Sequence, residues 1–122
     1  MGILQIKPRN KTGEKKPTRY YSTKQEEHIA QSLGGKRTPN SGATPFYKGD
    51  VTLDNWLCEC KTKTSDSTSI SIKKDWLDKL LQESLMMGKD NVALVFNFGP
   101  SSDKNYVIID EATFKDLIDK NK

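Results

Sequence analysis

A nearly unbroken apolar run at residues 92–98 (VALVFNF) constrains the fold more than any other segment of the chain. A strand that is apolar on both sides must be covered on both faces, so it belongs inside a sheet. It follows residues 75–87, whose apolar positions recur at helical spacing and which end at Gly88. A helix that leads into a doubly covered strand predicts an α/β architecture, with helices flanking a central sheet.

Further segments show helix and strand patterns. A helix is predicted to begin at Ser22 or Thr23, either of which can cap it, and to end near Leu33, where Gly34 and Gly35 stop it. Short strands are predicted at residues 50–53, 56–62, 69–73 and 106–109, and a last helix at residues 111–120. The predicted order is α-β-β-β-α-β-β-α, built on a mixed central sheet.

Charge is distributed unevenly along the 122 residues. Residues 1–49 carry ten Lys and Arg against three Glu, a net charge of +7, whereas residues 50–122 carry ten against thirteen acids, a net charge of −3. We divide the chain into a basic arm at residues 1–21 and one domain at residues 22–122. A basic segment of this kind suits nucleic acid, although it could also serve only to keep the chain in solution.

Cys58 and Cys60 are the only cysteines, and His28 is the only histidine. Two strand cysteines separated by one residue are too close for an ordinary disulfide, and this set does not complete a four-ligand zinc site. With a single histidine, a nuclease site that needs two histidines is also excluded. No apolar run approaches the roughly 20 residues of a membrane span and no signal-peptide pattern is present, so we expect a cytoplasmic protein with reduced thiols.

The candidate chemistry lies on the first two predicted strands. Asp50 opens the first, and side chains alternate along the second, so Glu59 and Lys61 share one face while Cys58 and Cys60 point to the other. Two carboxylates beside an ammonium group suit metal-assisted phosphodiester cleavage, because hard oxygen ligands hold a divalent cation. The alternative is an ion pair on a solvated sheet, with Asp50 capping a turn.

A further acid lies on the first predicted helix. Glu26, Ile29, Ala30 and Leu33 fall at i, i+3, i+4 and i+7, which places one carboxylate on the apolar, core-facing stripe. Glu27 lies about 100° further round the helix, nearer the polar side. Glu26 is therefore a candidate site residue, although the helix dipole alone also favours acids in early turns.

These segments together resemble the PD-(D/E)XK nuclease superfamily, and most closely its small Holliday junction resolvase-like endonucleases, including those carried by phages. The helix acid, the loop GGKRTPNSGA, the run KGD and the run ECK stand in the order of that family, over about residues 22–110. Gly49 replaces the proline of the family name. The resemblance implies a restriction-endonuclease-like core of α-β-β-β-α-β.

The resemblance also implies a role for each site residue. Asp50 and Glu59 bind the metal, together with the backbone carbonyl of Cys60 and with Glu26, for which Glu27 is the alternative. Lys61 is the catalytic lysine. The implied cofactor is Mg²⁺, with Mn²⁺ also supporting activity, and no nucleotide cofactor is implied.

A long loop at residues 34–49 is rich in Gly, Pro, Ser and Thr, and its length favours a functional role. Arg37 and Ser41 match the pattern R-x-x-x-S-G, to which the resemblance assigns contact with the scissile phosphate, although both could be turn residues only. The candidate DNA contacts are Arg19, Lys36, Arg37, Ser41, Lys48 and Lys63.

The implied function is hydrolysis of phosphodiester bonds in branched DNA, such as a four-way junction, by a Mg²⁺-dependent endonuclease. Junction resolution needs two symmetric cuts, so a homodimer is implied, in the cytoplasm or in the host cytoplasm if a phage encodes the chain. No membrane partner is expected. Two alternatives remain open: a nicking, flap or restriction-like nuclease of the same superfamily, and a non-catalytic DNA-binding module on the nuclease fold.

Overall fold

A computed structural model describes residues 16–38 and 50–122. The described residues form α1 (Thr18–Leu33), β1 (Lys36–Arg37), β2 (Val51–Thr52), β3 (Trp56–Lys61), α2 (Lys74–Met86), β4 (Asn91–Phe96), β5 (Tyr106–Ile108) and α3 (Glu111–Lys120). This part of the chain is α/β, as the sequence predicts. None of its helices is long and apolar enough to cross a membrane.

The five strands form one mixed sheet in the order β1-β2-β3-β4-β5. The first three strands are antiparallel neighbours, β3 and β4 run parallel, and β5 returns antiparallel to β4. A parallel pair needs a crossover connection, and α2 supplies it between β3 and β4. The prediction of a mixed sheet flanked by helices is therefore confirmed.

Different helices cover the two faces of the sheet. On one face Ile29 of α1 belongs to a buried cluster that also contains Val51, Cys58, Cys60, Ala93 and Val95. On the other face the side chains of Leu57, Leu80 and Leu94 are fully buried. Both cysteines are free thiols, as predicted. Both are buried in the core, and burial raises the pKa of Cys58 to about 11.

The first helix begins earlier than the sequence predicts, at Thr18. The predicted cap at Ser22 or Thr23 is wrong, because the carbonyl of the extended Pro17 accepts the first helical hydrogen bond and the Ser22 hydroxyl donates to the Arg19 carbonyl. Residues 18–21, which the sequence assigns to the basic arm, are thus helical. Residues 1–15 of that arm lie outside the described residues.

The predicted strand at residues 69–73 is also wrong, because these residues enter no ladder. β3 already pairs with β2 and β4 on its two sides, and the Ser67 hydroxyl donates to the Ser69 carbonyl in a local turn. Alternating side chains fit any extended segment, whereas a strand also needs a partner edge. The additional strand is β1, within the stretch that the sequence predicts to be a loop.

The end of α1 is as predicted. Gly34 adopts the left-handed conformation, with φ 74°, and ends the helix. A Cβ atom at Gly35 would lie 2.6 Å from the carbonyl oxygen of Thr52, so glycine allows the chain to pass directly against β2. The helix and the strand that follows Asp50 are thereby held together.

Candidate metal centre

β3 positions the carboxylate and the lysine of the ECK run. Lys61 Nζ lies 2.9 Å from Glu59 Oε2, which confirms that the two side chains share a face of the strand. The same ammonium group lies 4.2 Å from the ring centroid of Trp76, near the start of α2. Because the carboxylate and the aromatic ring both contact it, the ammonium group is held at one place at the end of the strand.

Asp50 lies immediately before β2 and is tied to β3. Its Oδ2 accepts a 2.8 Å hydrogen bond from the Cys60 amide, and its own amide donates to the Cys58 carbonyl. Its carbonyl accepts from the Thr38 amide, which continues the pairing with β1. The Asp50 carboxylate is therefore fixed at the backbone between the two charged residues of the ECK run.

α1 contributes an acid whose charge interacts with that of Asp50. Glu26 Oε1 accepts hydrogen bonds from Arg37 Nε at 3.3 Å and Nη2 at 3.1 Å, and the Glu26 side chain is 13% exposed. Burial raises the pKa of Glu26, the Asp50 carboxylate raises it further, and Arg37 opposes both effects. Glu27 Oε2 lies 3.8 Å from Arg37 Nη1, and its side chain is 61% exposed, so it is much closer to solvent than Glu26 is.

The three acids concentrate negative charge around the Cys60 thiol. Burial is the largest cause of the raised pKa of Cys60, followed by the carboxylates of Asp50 and Glu26, the neighbouring Cys58 and the carboxylate of Glu59. These acids come from α1, from the start of β2 and from β3, and only the fold brings them together. A cation near these carboxylates would favour the charged form of each of them.

The donor set fits a hard divalent cation by its chemistry, since all three acids supply carboxylate oxygens. Within residues 16–38 and 50–122, however, no group of three or more acidic, histidine or cysteine side chains is arranged closely enough to hold a metal ion. Lys61 and Arg37 pair with two of the acids instead. The structure thus shows three acids whose charges act on the Cys60 thiol, two of them neutralised by cations of the chain.

Only some of the candidate DNA contacts lie near the three acids. Arg37 is engaged by Glu26 and Glu27, which occupies the guanidinium group that the sequence assigns to a phosphate. Arg19 lies on the first turn of α1, close enough to Glu26 for its charge to lower the pKa of that acid. The other candidates are Lys36, exposed on β1, and Lys63, half-buried after β3, together with Ser41 and Lys48, which lie outside the described residues.

Sequence reasoning missed Gln25, which is 5% exposed. Its Nε2 donates to the Lys61 carbonyl at 3.0 Å and to Asn105 Oδ1 at 3.2 Å, and Asn97 Nδ2 donates to the same oxygen. This network holds the backbone of Lys61 from the side of α1. The available signal is the spacing, because Gln25 lies one turn before the buried Ile29 and so belongs to the inward stripe.

Comparisons of the chain with protein-family models, with curated proteins and with solved structures return no match. The chemistry assigned to this region therefore depends on its own residues, on their geometry and on the resemblance described above.

Proposed function

We propose that this protein is a metal-dependent DNA endonuclease that hydrolyses phosphodiester bonds, with branched DNA such as a four-way junction as its substrate. The observation that carries the proposal is the hydrogen bond from the Cys60 amide to Asp50 Oδ2. It joins the acid before β2 to the backbone between Glu59 and Lys61, so the D…E-x-K residues form one spatial unit.

The order of the elements supports the proposal. The described chain runs α1-β1-β2-β3-α2-β4, with an antiparallel β1-β2-β3 unit and β4 parallel to β3. The resemblance implies a core of α-β-β-β-α-β, although it places the strands differently, since the predicted strand at residues 69–73 is absent and β1 is additional. We propose that the domain is a restriction-endonuclease-like core.

In this proposal Asp50, Glu59 and Glu26 would hold the cation, with the Cys60 carbonyl as a further ligand. Bound Mg²⁺, or Mn²⁺ in its place, would supply Lewis-acid chemistry for phosphodiester hydrolysis. Lys61 places a positive charge beside the phosphate, where negative charge develops as the bond breaks. Arg37 neutralises Glu26 when no cation is bound, and Gln25 keeps the Lys61 backbone in place.

The proposed partners follow from the same resemblance. Basic residues around the acidic region, including Arg19, Lys36 and Lys63, contact phosphates and fix the orientation of the DNA without reading its sequence. Two symmetric cuts at a junction require two sites, so we propose a homodimer. The proposed location is the cytoplasm, or the host cytoplasm if a phage encodes the protein.

A cleavage assay tests the proposal. Purified protein with Mg²⁺ is incubated with a labelled four-way junction, a flap and a blunt duplex under identical conditions, with EDTA as the metal-free arm. We expect junction cleavage by the wild type and its loss in Asp50→Asn. The matched control is Asp54→Asn, which removes an exposed aspartate charge at the turn between β2 and β3 and is expected to cut normally.

Two outcomes contradict this proposal in different ways. Preference for the flap or the duplex indicates a nicking, flap or restriction-like nuclease. Absence of cleavage on all three substrates, with Lys61→Ala behaving like the wild type in every assay, removes the endonuclease proposal altogether.

A non-catalytic DNA-binding module is the second candidate, and one observation favours it. Glu26 pairs with Arg37 and Glu59 pairs with Lys61, so the chain itself neutralises two of the proposed metal ligands. Calorimetric titration with Mg²⁺ and Mn²⁺ separates the two candidates. A nuclease centre binds the cation in a manner that Asp50→Asn abolishes, whereas a binding module shows no cation binding that depends on Asp50.

A further inference from the structure

An aromatic and basic cleft lies beside the candidate metal centre. It forms where the start of α1 meets the segment after β3 and the connection between β4 and β5, and its volume is about 420 Å³. Ligand pockets for small organic molecules have volumes of roughly 300–1,000 Å³, so the cleft has room for a nucleotide. The lining residues that matter here are Lys16, Tyr20, Tyr21, Lys24, Gln25 and Lys63.

The charge of the cleft selects an anion. Lys16, Lys24 and Lys63 line it, and none of the described residues that line it is acidic. Lys16 Nζ lies 4.6 Å and Lys24 Nζ 5.3 Å from the ring centroid of Tyr20, so two of the positive charges gather at one aromatic ring. A negatively charged group is therefore attracted to the same place as any ring that stacks there.

The aromatic side chains select a flat ligand. Tyr20 is 39% exposed, and Tyr21 contacts it edge to face, with ring centroids 5.2 Å apart and planes at 87°. This contact supports the Tyr20 ring, part of which is exposed, and Lys16 and Lys24 lie over the ring, so a base that stacks on it displaces an ammonium group. An acidic peptide would use the lysines but not this ring, whereas a nucleotide offers both a phosphate for the lysines and a base for the ring.

The base must be unpaired to reach the ring. In an intact duplex each base is covered above and below by its neighbours, and side chains there contact mainly phosphates and groove edges. Proteins that bind single strands combine a positively charged groove with aromatic rings on which bases stack. The cleft has both features, because Tyr20 supplies an aromatic ring and three lysines supply positive charge.

The cleft and the candidate metal centre share a wall. Lys63 follows Lys61 by two residues, which corresponds to at most about 7 Å of extended backbone. Gln25 lines the cleft, and its Nε2 donates to the Lys61 carbonyl. A DNA strand that has one phosphate at Lys61 can therefore place a neighbouring nucleotide in the cleft.

We infer that this cleft binds one nucleotide of the strand that is cut, at the branch point of the substrate, where pairing is interrupted next to the cleavage position. The inference rests on the proposed nuclease function, which it makes more specific by naming the state of the substrate. Tyr20 stacks on the base, and Lys16, Lys24 and Lys63 contact the phosphates on either side.

Fluorescence anisotropy in EDTA tests the inference without cleavage. The probes are a labelled twelve-nucleotide oligothymidylate and a labelled blunt duplex of equal length. Tyr20→Ala is expected to weaken binding of the oligothymidylate about tenfold, because one stacked base is lost, and to leave duplex binding within about twofold. Tyr20→Phe keeps the ring and is expected to bind like the wild type.

Two further variants complete the test. Lys63→Ala is expected to weaken oligothymidylate binding and to lower the slope of log affinity against log salt by about 0.7, the value for one phosphate contact on a single strand. Phe114→Ala removes an exposed ring on α3, outside the cleft, and is the matched control with no expected effect. Circular dichroism of each variant establishes that it is folded.

Three results overturn the inference. They are an unchanged oligothymidylate affinity in Tyr20→Ala, an equal loss for the single strand and the duplex, and binding of free thymidine monophosphate or polyglutamate as tightly as the oligothymidylate. Failure of the nuclease proposal is a separate result. If only the nuclease proposal fails, the protein binds the oligothymidylate through Tyr20 but cuts no DNA in Mg²⁺. If only the cleft inference fails, the protein cuts DNA in Mg²⁺ and Tyr20→Ala leaves oligothymidylate binding unchanged.

Discussion

The two faces of β3 differ in how far burial extends along the strand. On one face Cys58 and Cys60 are 2% and 7% exposed, so this face remains in the core to the end of the strand. On the other face Leu57 is fully buried, but the side chains of Glu59 and Lys61 are 18% and 28% exposed. One strand thus supplies both core and site, and the site begins where helix cover on one face ends.

Leu57→Ala tests the buried end of the β3 face that carries Leu57, Glu59 and Lys61, and it has the largest expected effect on stability. Removal of a fully buried leucine side chain leaves a cavity, so the free energy of unfolding should fall by about 2–5 kcal/mol. Urea denaturation followed by circular dichroism measures it. Leu85→Ala, which truncates a 74% exposed leucine, is the control with little change; similar losses for both variants would contradict the assigned burial.

Lys61→Ala tests the partly exposed end of the same face of β3. Under the proposed function, loss of a charge that stabilises the reacting phosphate should reduce the cleavage rate by about 100-fold or more. The free energy of unfolding should change by no more than about 1 kcal/mol, because the Glu59 pair is partly exposed. Single-turnover cleavage of a four-way junction measures the rate, with Lys74→Ala as the control, since that lysine forms an exposed pair on α2.

The reactivity of the two thiols tests the buried face of β3, which carries Cys58 and Cys60. Burial raises the pKa of both cysteines, so the reactive thiolate is scarce near pH 8, and the core also excludes the reagent. The native protein should react with an aromatic disulfide reagent at least about tenfold more slowly than the protein in urea. Rapid reaction of both thiols in the native state would show that this face opens readily to solvent.

Glu26 gives a pH-dependent comparison with a smaller effect, measured in EDTA. Its pKa is raised in the folded state, mainly by burial, so the folded protein binds this proton more tightly than the unfolded chain does. The stability that protonation contributes is complete below the unfolded pKa, near 4.5, and is lost as the pH rises through the folded value. Glu26→Gln lacks this loss.

The free energy of unfolding of Glu26→Gln relative to the wild type should therefore increase as the pH rises from about 4 upward. Urea denaturation at a series of pH values measures the difference. Glu27→Gln, which changes the neighbouring exposed acid, is the control and should show no such trend. A difference that falls with pH would mean that the pairing with Arg37 outweighs burial.

Patterns that depend on one element were predictable from the sequence. The apolar run at β4, the helical spacing of α2 and the glycines after α1 each reflect a period or a turn within a short segment, and the structure has these elements within two residues of the prediction. The shared face of Glu59 and Lys61 follows from strand alternation in the same way. Site residues on one strand can therefore be related to each other from the sequence alone.

Features that depend on two elements were not predictable. Residues 69–73 have the alternating pattern of a strand, but they pair with no other strand of the described residues. The two-residue β1 pairs with β2 although no pattern in its sequence predicts a strand there. The spacing places Gln25 on the inward stripe of α1, but its partner, the Lys61 carbonyl 36 positions along the chain, is given only by the structure.

The sequence by itself determined the α/β class, the face shared by the two cysteines and the face that carries Glu59 and Lys61, because side-chain periodicity is a local property. Only the tertiary structure decided which helix acid approaches Asp50, which cations neutralise the acids, and that an aromatic cleft adjoins Lys61. These depend on distances between groups far apart in the chain. Packing of α1 against the sheet sets those distances, and local periodicity contains no information about them.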